Sequence, residues 1–188
     1  MEFLKRPLAI TDVETSGFDA PIHEILEIGL IVVDQKNLKI LDEWTVKVKP
    51  RRIRTAAEKA LKVCGYNKID WLKAVDLKDA MKVYSKKTKN AIFLAHNSFF
   101  DWSFITEAFK QTGVEDYTDY HRLDLFSIAW GLSRNKKLKG LAKFNLSELC
   151  KYFDIEPESS PHRALNGAYK ALEVLKKSEA EIEKEVSE

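Results

Sequence analysis

The sequence predicts an α/β protein: a mixed sheet, part antiparallel hairpin and part parallel strands, with helices on both faces. Three observations carry that expectation. Two long β-branched segments are joined by a short polar connection, as in an antiparallel hairpin. Beyond them, apolar strand-like runs alternate with segments of helical periodicity, the pattern of strand–helix units. The chain has 188 residues, 45% hydrophobic and 32% charged, which is enough to bury a core under a polar surface.

LAITDVET, residues 8–15, reads as the first strand, and EILEIGLIVVD, residues 24–34, as the second. KILDEWTVKVK, residues 39–49, alternates well enough for a third, and Gln35-Lys36-Asn37 is short enough to close a hairpin. Residues 55–89 are expected to be helical, with a break at Cys64-Gly65-Tyr66-Asn67. AIFLAHN, residues 91–97, reads as a buried strand, followed by a helix from Phe100 to Thr112 that Gly113 closes. HRLDLFSIAWGL, residues 121–132, suggests a short strand running into a helix. Asn145 and Glu148 have the spacing of a capping box for a helix through Phe153. The last helix should begin near His162, after Ser160-Pro161, with Leu165, Ala168, Leu172 and Leu175 on one stripe. Its end, KKSEAEIEKEVSE, is polar enough to be a solvated extension or a frayed tail. The expected organisation is one domain over residues 1–178 and a charged extension over 179–188.

Several classes are disfavoured. No apolar run approaches the roughly 18 residues of a membrane span. The N-terminus meets a carboxylate too early for a signal peptide. Cys64 and Cys150 form no motif and suit a reducing compartment, so a cytoplasmic location is expected. The net charge of +2 neither requires nor excludes nucleic acid, because local clusters matter more than the total.

Three acidic residues and one histidine sit in unusual places. Side chains alternate along a strand, so Asp12 and Glu14 share a face with Leu8 and Ile10. A strand running out into solvent explains them, and so does a metal site, since hard divalent ions want oxygen ligands. Asp101 lies on the same helix face as Phe104, Ile105 and Ala108. An acid in a first helical turn is common. On an apolar face, however, it needs a partner, and the strand AIFLAHN would deliver it to the sheet edge where ligands bind in open α/β folds. His162 stands at a helix mouth. Gly167 lies inside the same helix, where glycine costs about 1 kcal/mol relative to alanine, so helix stability does not explain it.

In order along the chain, these segments resemble the DnaQ-like exonucleases of the DEDDh type. This group includes the proofreading subunits of replicative polymerases, ribonuclease T and oligoribonuclease. The resemblance rests on TDVETSG (11–17), HEILEIG (23–29), AHNSFFD (95–101), Leu123-Asp124-Leu125, and LSELCKYFDI running into PHRALNGA, and it spans about residues 8–175. It implies a ribonuclease H-like fold and a magnesium- or manganese-dependent 3′–5′ exonuclease with two ions. Asp12 would bridge both ions, Glu14 would hold the ion carrying the attacking water, and Asp101 would orient the second. His162 would be the general base. The 3′-terminal nucleotide would lie against Thr15, Ser16 and Gly17, with His96, Asn97 and Phe99 on its other side. Phe99 is the stacking candidate and Phe100 the core residue. Basic residues that could follow a phosphate backbone are Lys47, Lys49, Arg51, Arg52 and Arg54, and Lys136, Lys137 and Lys139.

One position departs from the pattern. The family's last metal-ligating aspartate lies five residues after the histidine, and here that position is Gly167. Asn166 points about 100° away on a helix and Glu173 is nearly two turns on, so neither replaces it. The resemblance therefore implies an exonuclease on single-stranded DNA or RNA ends, weakened or inactivated by the glycine. The alternative is a non-catalytic module of the same fold that binds nucleic-acid ends or a polymerase partner. No membrane partner is expected.

Overall fold

The structure, a computed structural model, describes residues 2–135 and 138–183. Five strands form one sheet in the order β3-β2-β1-β4-β5. Their bounds are β1 Leu8–Thr15, β2 Ile25–Val33, β3 Ile40–Lys47, β4 Ile92–Ala95 and β5 Arg122–Asp124. β1 pairs antiparallel with β2 and β2 with β3, whereas β1–β4 and β4–β5 are parallel. The expected mixed sheet is therefore present. The hairpin turn is tied by Asp34, whose side chain accepts the Lys36 and Asn37 N–H groups.

The helices are α1 Glu58–Val63, α2 Leu77–Lys87, α3 Ser98–Thr112, α4 Leu125–Arg134, α5 Leu146–Tyr152 and α6 Ala164–Glu183. The central strands carry apolar residues on both faces and so build two cores. Leu8, Ile10, Ile31 and Val33 pack with α4, α5 and α6. Ala9, Val13, Leu30 and Val32 pack with α2 and α3. Apolar side chains at alternate positions supply both faces, as expected for strands covered by helices on each side.

Some boundaries differ from expectation. The predicted helical stretch 55–89 yields only α1 and α2. Between them the chain turns, and Val75 bridges Val48 beyond the end of β3. Trp71 anchors this segment, donating its indole N–H to the Leu26 carbonyl at 3.0 Å. Tertiary contacts override helical propensity here. Asn145 caps α5 by accepting the Glu148 N–H, but Glu148 pairs with Lys151 instead of reaching back, so the capping box is half formed. The last helix starts at Ala164, leaving His162 outside it, and it continues as helix into the expected charged extension as far as Glu183. Lys136, Lys137 and residues 184–188 of the expected tail lie outside the described residues. No described helix is long and apolar enough to cross a membrane.

Candidate active site

Asp12 and Glu14 close β1 on the face that packs against α6, beside the buried Leu8 and Ile10. The third acid arrives from the opposite face. Asn97 adopts a left-handed backbone (φ 62°) that turns the chain from β4 into α3. Asp124 fixes this turn: it accepts the Ser98 N–H at 3.0 Å while also capping α4 through Ser127. The first turn of α3 thus brings Asp101 beneath the end of β1, where its Oδ1 accepts the Val13 N–H at 3.0 Å. Asp101 is only 4% exposed, and Phe104, Ile105 and Ala108 on its helix face are buried as well.

His162 comes from the loop before α6. Gly29, directly opposite Asp12 in the β1–β2 register, makes this approach possible. A Cβ at Gly29 would collide with the Ala164 carbonyl and the Leu165 nitrogen, so the first turn of α6 lies on bare backbone. Arg163 secures the same loop. Its guanidinium donates to the Cys64 carbonyl at 2.7 Å and lies 3.7 Å from Glu27, while the His162 N–H donates to Val63.

Gly167 lies against Asp12, a contact the sequence reading missed. A Cβ there would stand 2.5 Å from Oδ2 of Asp12. The helix passes so close to the end of β1 that alanine, the better helix former, would press on the carboxylate.

The electrostatics follow from this crowding. Burial raises the Asp12 carboxyl well above its ordinary value, and Asp101, Glu14, Glu158 and Glu27 add to the effect. Burial pushes Asp101 up to about 8, against the stabilising Val13 hydrogen bond. Glu14 is pushed to about 7 by burial, then by Glu158 and Glu27, with Arg163 pulling the other way. Among the described residues no group donates a hydrogen bond to the Asp12 carboxylate. Oxygen donors that resist ionisation together, one of them unsatisfied, fit a hard divalent cation, which would relieve desolvation and repulsion at once.

Around this cluster the candidate substrate residues differ in availability. Phe99 is 85% exposed beside the exposed Asn97, whereas Phe100 packs against Phe104 and Phe18. His96 shares a cleft with Asp12, Glu158 and His162, and its buried Nδ1 has no partner. Burial holds its pKa below the usual value. Thr15, Ser16 and Gly17 are buried. The Ser16 hydroxyl accepts the Glu24 N–H, its own N–H donates to Glu24 and its carbonyl accepts from Ala57, so its polar groups are spent on the fold. Of the basic residues, Lys47 lies over the Trp71 ring, Arg51 pairs with Asp76 and Arg52 with Glu24. Lys49, Arg54 and Lys139 are exposed.

Two acids escaped the sequence reading. Glu27, opposite Glu14 across the hairpin, is buried and lies beside Arg163. Its signal was present: a charge inside the otherwise apolar ILEIGLIVV. Glu158 lies in the irregular stretch before α6, and one donor atom each of Glu14, Glu158 and His162 fall within 4.8 Å of one another.

Sheet order, the acids at its edge and the histidine before the last helix define the class. This chain belongs to the DnaQ-like 3′–5′ exonuclease family; the exonuclease family of the ribonuclease T type matches residues 9–175. It is 28% identical over 171 residues to the PolC-type DNA polymerase III of Bacillus subtilis, covering 89% of this chain and 11% of that protein. It is also 28% identical over 146 residues to the 3′–5′ exonuclease DinG of Staphylococcus aureus, covering 72% of this chain and 15% of that protein. The chain thus spans about a tenth of the length of the PolC-type relatives it matches. In fold it is similar to E. coli exonuclease I in a complex with single-stranded DNA, with a TM-score of 0.78 at 17% identity, over 91% of this chain and 40% of that one.

Proposed function

We propose that this chain is a metal-dependent exonuclease unit that removes nucleotides from the 3′ ends of single strands. The observation that carries the reading is the convergence of Asp12, Glu14 and Asp101 with His162 from three separate segments. Nothing in folding alone calls for such a costly cluster. Asp12, Glu14 and Asp101 would hold two magnesium or manganese ions, which when bound clamp the scissile phosphate and lower the pKa of the attacking water. His162 takes the proton from that water. Its loop position, outside α6, gives the imidazole freedom to face the cleft. Phe99 stacks on a base near the 3′ terminus, and His96 and Asn97 line the sugar and phosphate beside it. Thr15 and Gly17 bound the other side, with Ser16 acting through the shape of the loop. Lys49, Arg54 and Lys139 are exposed basic residues available to follow the strand.

The likeness to PolC-type polymerases, to DinG and to an exonuclease I complex with single-stranded DNA favours DNA over RNA as substrate. It also supports a polymerase or a larger polypeptide as partner. A single catalytic unit over residues 1–178 accords with the family match. Two buried free thiols, Cys64 and Cys150, accord with a cytoplasmic setting. Relative to a chain with aspartate at position 167, this form is the slower enzyme, because one carboxylate that would position the nucleophile's ion is missing. The test is a 5′-labelled single strand with Mn²⁺. Stepwise shortening from the 3′ end is expected, with a blunt duplex degraded more slowly because its terminal base must first unpair. Internal cuts, or release of the 5′ label at the outset, contradict the reading. Strand binding with no cleavage by this chain or by Gly167→Asp favours the non-catalytic module.

A further inference from the structure

We propose that Glu158 supplies the metal-ligating carboxylate that position 167 lacks, joining Glu14 around the ion that carries the attacking water while His162 stands beside them as the base; the proposal rests on the exonuclease reading above. Glu158 lies in the irregular segment between α5 and α6, four residues before His162. Its Oε1 accepts the Arg163 N–H at 3.1 Å, and its Oε2 stands 3.5 Å from Nδ1 of His162. The carboxylate is thus held by the same loop that positions the histidine. Donor atoms of Glu14, Glu158 and His162 lie within 4.8 Å of one another. Two donors on opposite sides of one small divalent ion are about 4.1 Å apart, given bonds of about 2.0–2.1 Å, so a slight tightening of Glu14 and Glu158 would seat the ion beside His162. Glu158 also lines the cleft that contains Asp12. Its charge raises the carboxyl pKa values of both Asp12 and Glu14, so it shares their electrostatic environment.

The location is what a compensating ligand requires. Gly167 passes beside the Asp12 carboxylate but offers the ion no side chain of its own. The loop before α6 supplies a carboxylate in its place. The Glu158 side chain is only 16% exposed, and among the described residues no lysine is paired with it. Such a carboxylate, set among three others, calls for a cation. A glutamate on a loop would restore the ion's occupancy without reproducing the rigid geometry of a helical aspartate, which is why the enzyme is slower but not empty of metal.

The experiment is calorimetric titration of Mn²⁺ into the full chain and four variants: Asp12→Ala, Glu158→Gln, Gly167→Asp, and the last two combined. Glutamine at 158 can still accept the Arg163 N–H. Glu158→Gln should weaken Mn²⁺ binding by about tenfold or more, since even outer partners of metal ligands cost about 10- to 100-fold. Gly167→Asp should restore most of that loss in the double variant while changing the affinity of the otherwise unmodified chain little. Unchanged affinity in Glu158→Gln, with binding lost in Asp12→Ala, overturns the role of Glu158 and leaves the metal site standing. Unchanged affinity in Asp12→Ala overturns the metal-site reading itself. A Glu158→Gln variant that cleaves more slowly yet binds Mn²⁺ normally would make Glu158 an orienting partner of His162, again overturning the ligand role. If Glu158→Gln does not fold, Glu158→Asp keeps the charge at shorter reach. It should weaken Mn²⁺ binding if Glu158 is a ligand, and full affinity there counts against the proposal.

Discussion

At the scale of the residue, the end of β1 decides most of the chemistry. Asp12 has no hydrogen-bond donor among the described residues and is surrounded by other acids. Asp12→Ala should therefore lose more than about tenfold in Mn²⁺ affinity, because removing a ligand exceeds the effect of removing its outer partner. Titration calorimetry measures it, and equal affinity would contradict the assignment. Gly167→Asp carries more risk, since its Cβ would stand 2.5 Å from Oδ2 of Asp12. Only the end of a short side chain has to yield, and a bound cation offsets the repulsion between the two carboxylates. The expected outcome is a rise in single-strand cleavage of about tenfold or more, equivalent to about 1.4 kcal/mol off the barrier. The gain should vanish in an Asp12→Ala background. Asp12, Glu14 and Asp101 were legible because strand alternation and helix periodicity set each acid on an apolar face. Glu158 was not: Ser159, Ser160 and Pro161 separate it from His162 in a stretch without periodicity, so nothing revealed that both face one cleft. Gly167 was read as a helical cost and as the place of an absent ligand, but its contact with Asp12 was not legible, because the two are 155 positions apart in the chain.

At the scale of the element, the seat of α6 on β2 brings the histidine to the acids. Gly29 faces the backbone of Ala164 and Leu165, and that backbone cannot move aside as a side chain could. Gly29→Ala should cost about 3 kcal/mol or more, the upper range for overpacking, and should move His162 away from Asp12. Gly131, in α4, has no atom within 4 Å of an added Cβ, so Gly131→Ala should be neutral or stabilising by up to about 1 kcal/mol. Urea denaturation of the two variants provides the comparison, and similar midpoints would contradict the docking argument. Both glycines look alike in sequence, one in a strand and one in a helix. What separates them is a contact between segments about 135 residues apart, beyond the reach of periodicity. The same limit explains the misread 55–89 segment. Its composition suits a helix, but Trp71 reaching the Leu26 carbonyl and Val75 bridging Val48 draw it onto the sheet. β1 and β2, by contrast, were readable to within a residue because burial on both faces leaves long β-branched runs bounded by polar turns.

At the scale of the whole molecule, the acids bring together the two faces of the sheet and the core on each. Asp101 belongs to the face covered by α2 and α3, while Asp12 and Glu14 face α6. A cation held between them would tie the two faces together, so metal should change global stability as well as activity, and pH should govern how much. The Asp101 carboxyl is pushed up to about 8 in the folded chain, against about 3.9 when unfolded. Below about pH 4 the group is protonated in both states and its contribution to stability is fully present. As pH rises from about 4 to about 8, the unfolded chain releases the proton first, so stability falls and then levels off. Glu14, raised to about 7, works in the same direction over a narrower window. His96 works against it: burial lowers its pKa, so its neutral form adds stability as pH rises toward about 6.5. The test therefore compares the chain with Asp101→Asn, in which the amide oxygen can still accept the Val13 N–H. With chelator present, the melting temperature of the unmodified chain should fall relative to that of Asp101→Asn between about pH 5 and 8. With Mn²⁺ at 100 times its dissociation constant, binding adds about 2.7 kcal/mol, and the gain should be larger near pH 8, where protons no longer compete for the carboxylates. Parallel melting curves for the two proteins, or a Mn²⁺ gain that shrinks as pH rises, would mean that Asp101 is already ionised in the metal-free fold and that some other group bears the cost of its burial.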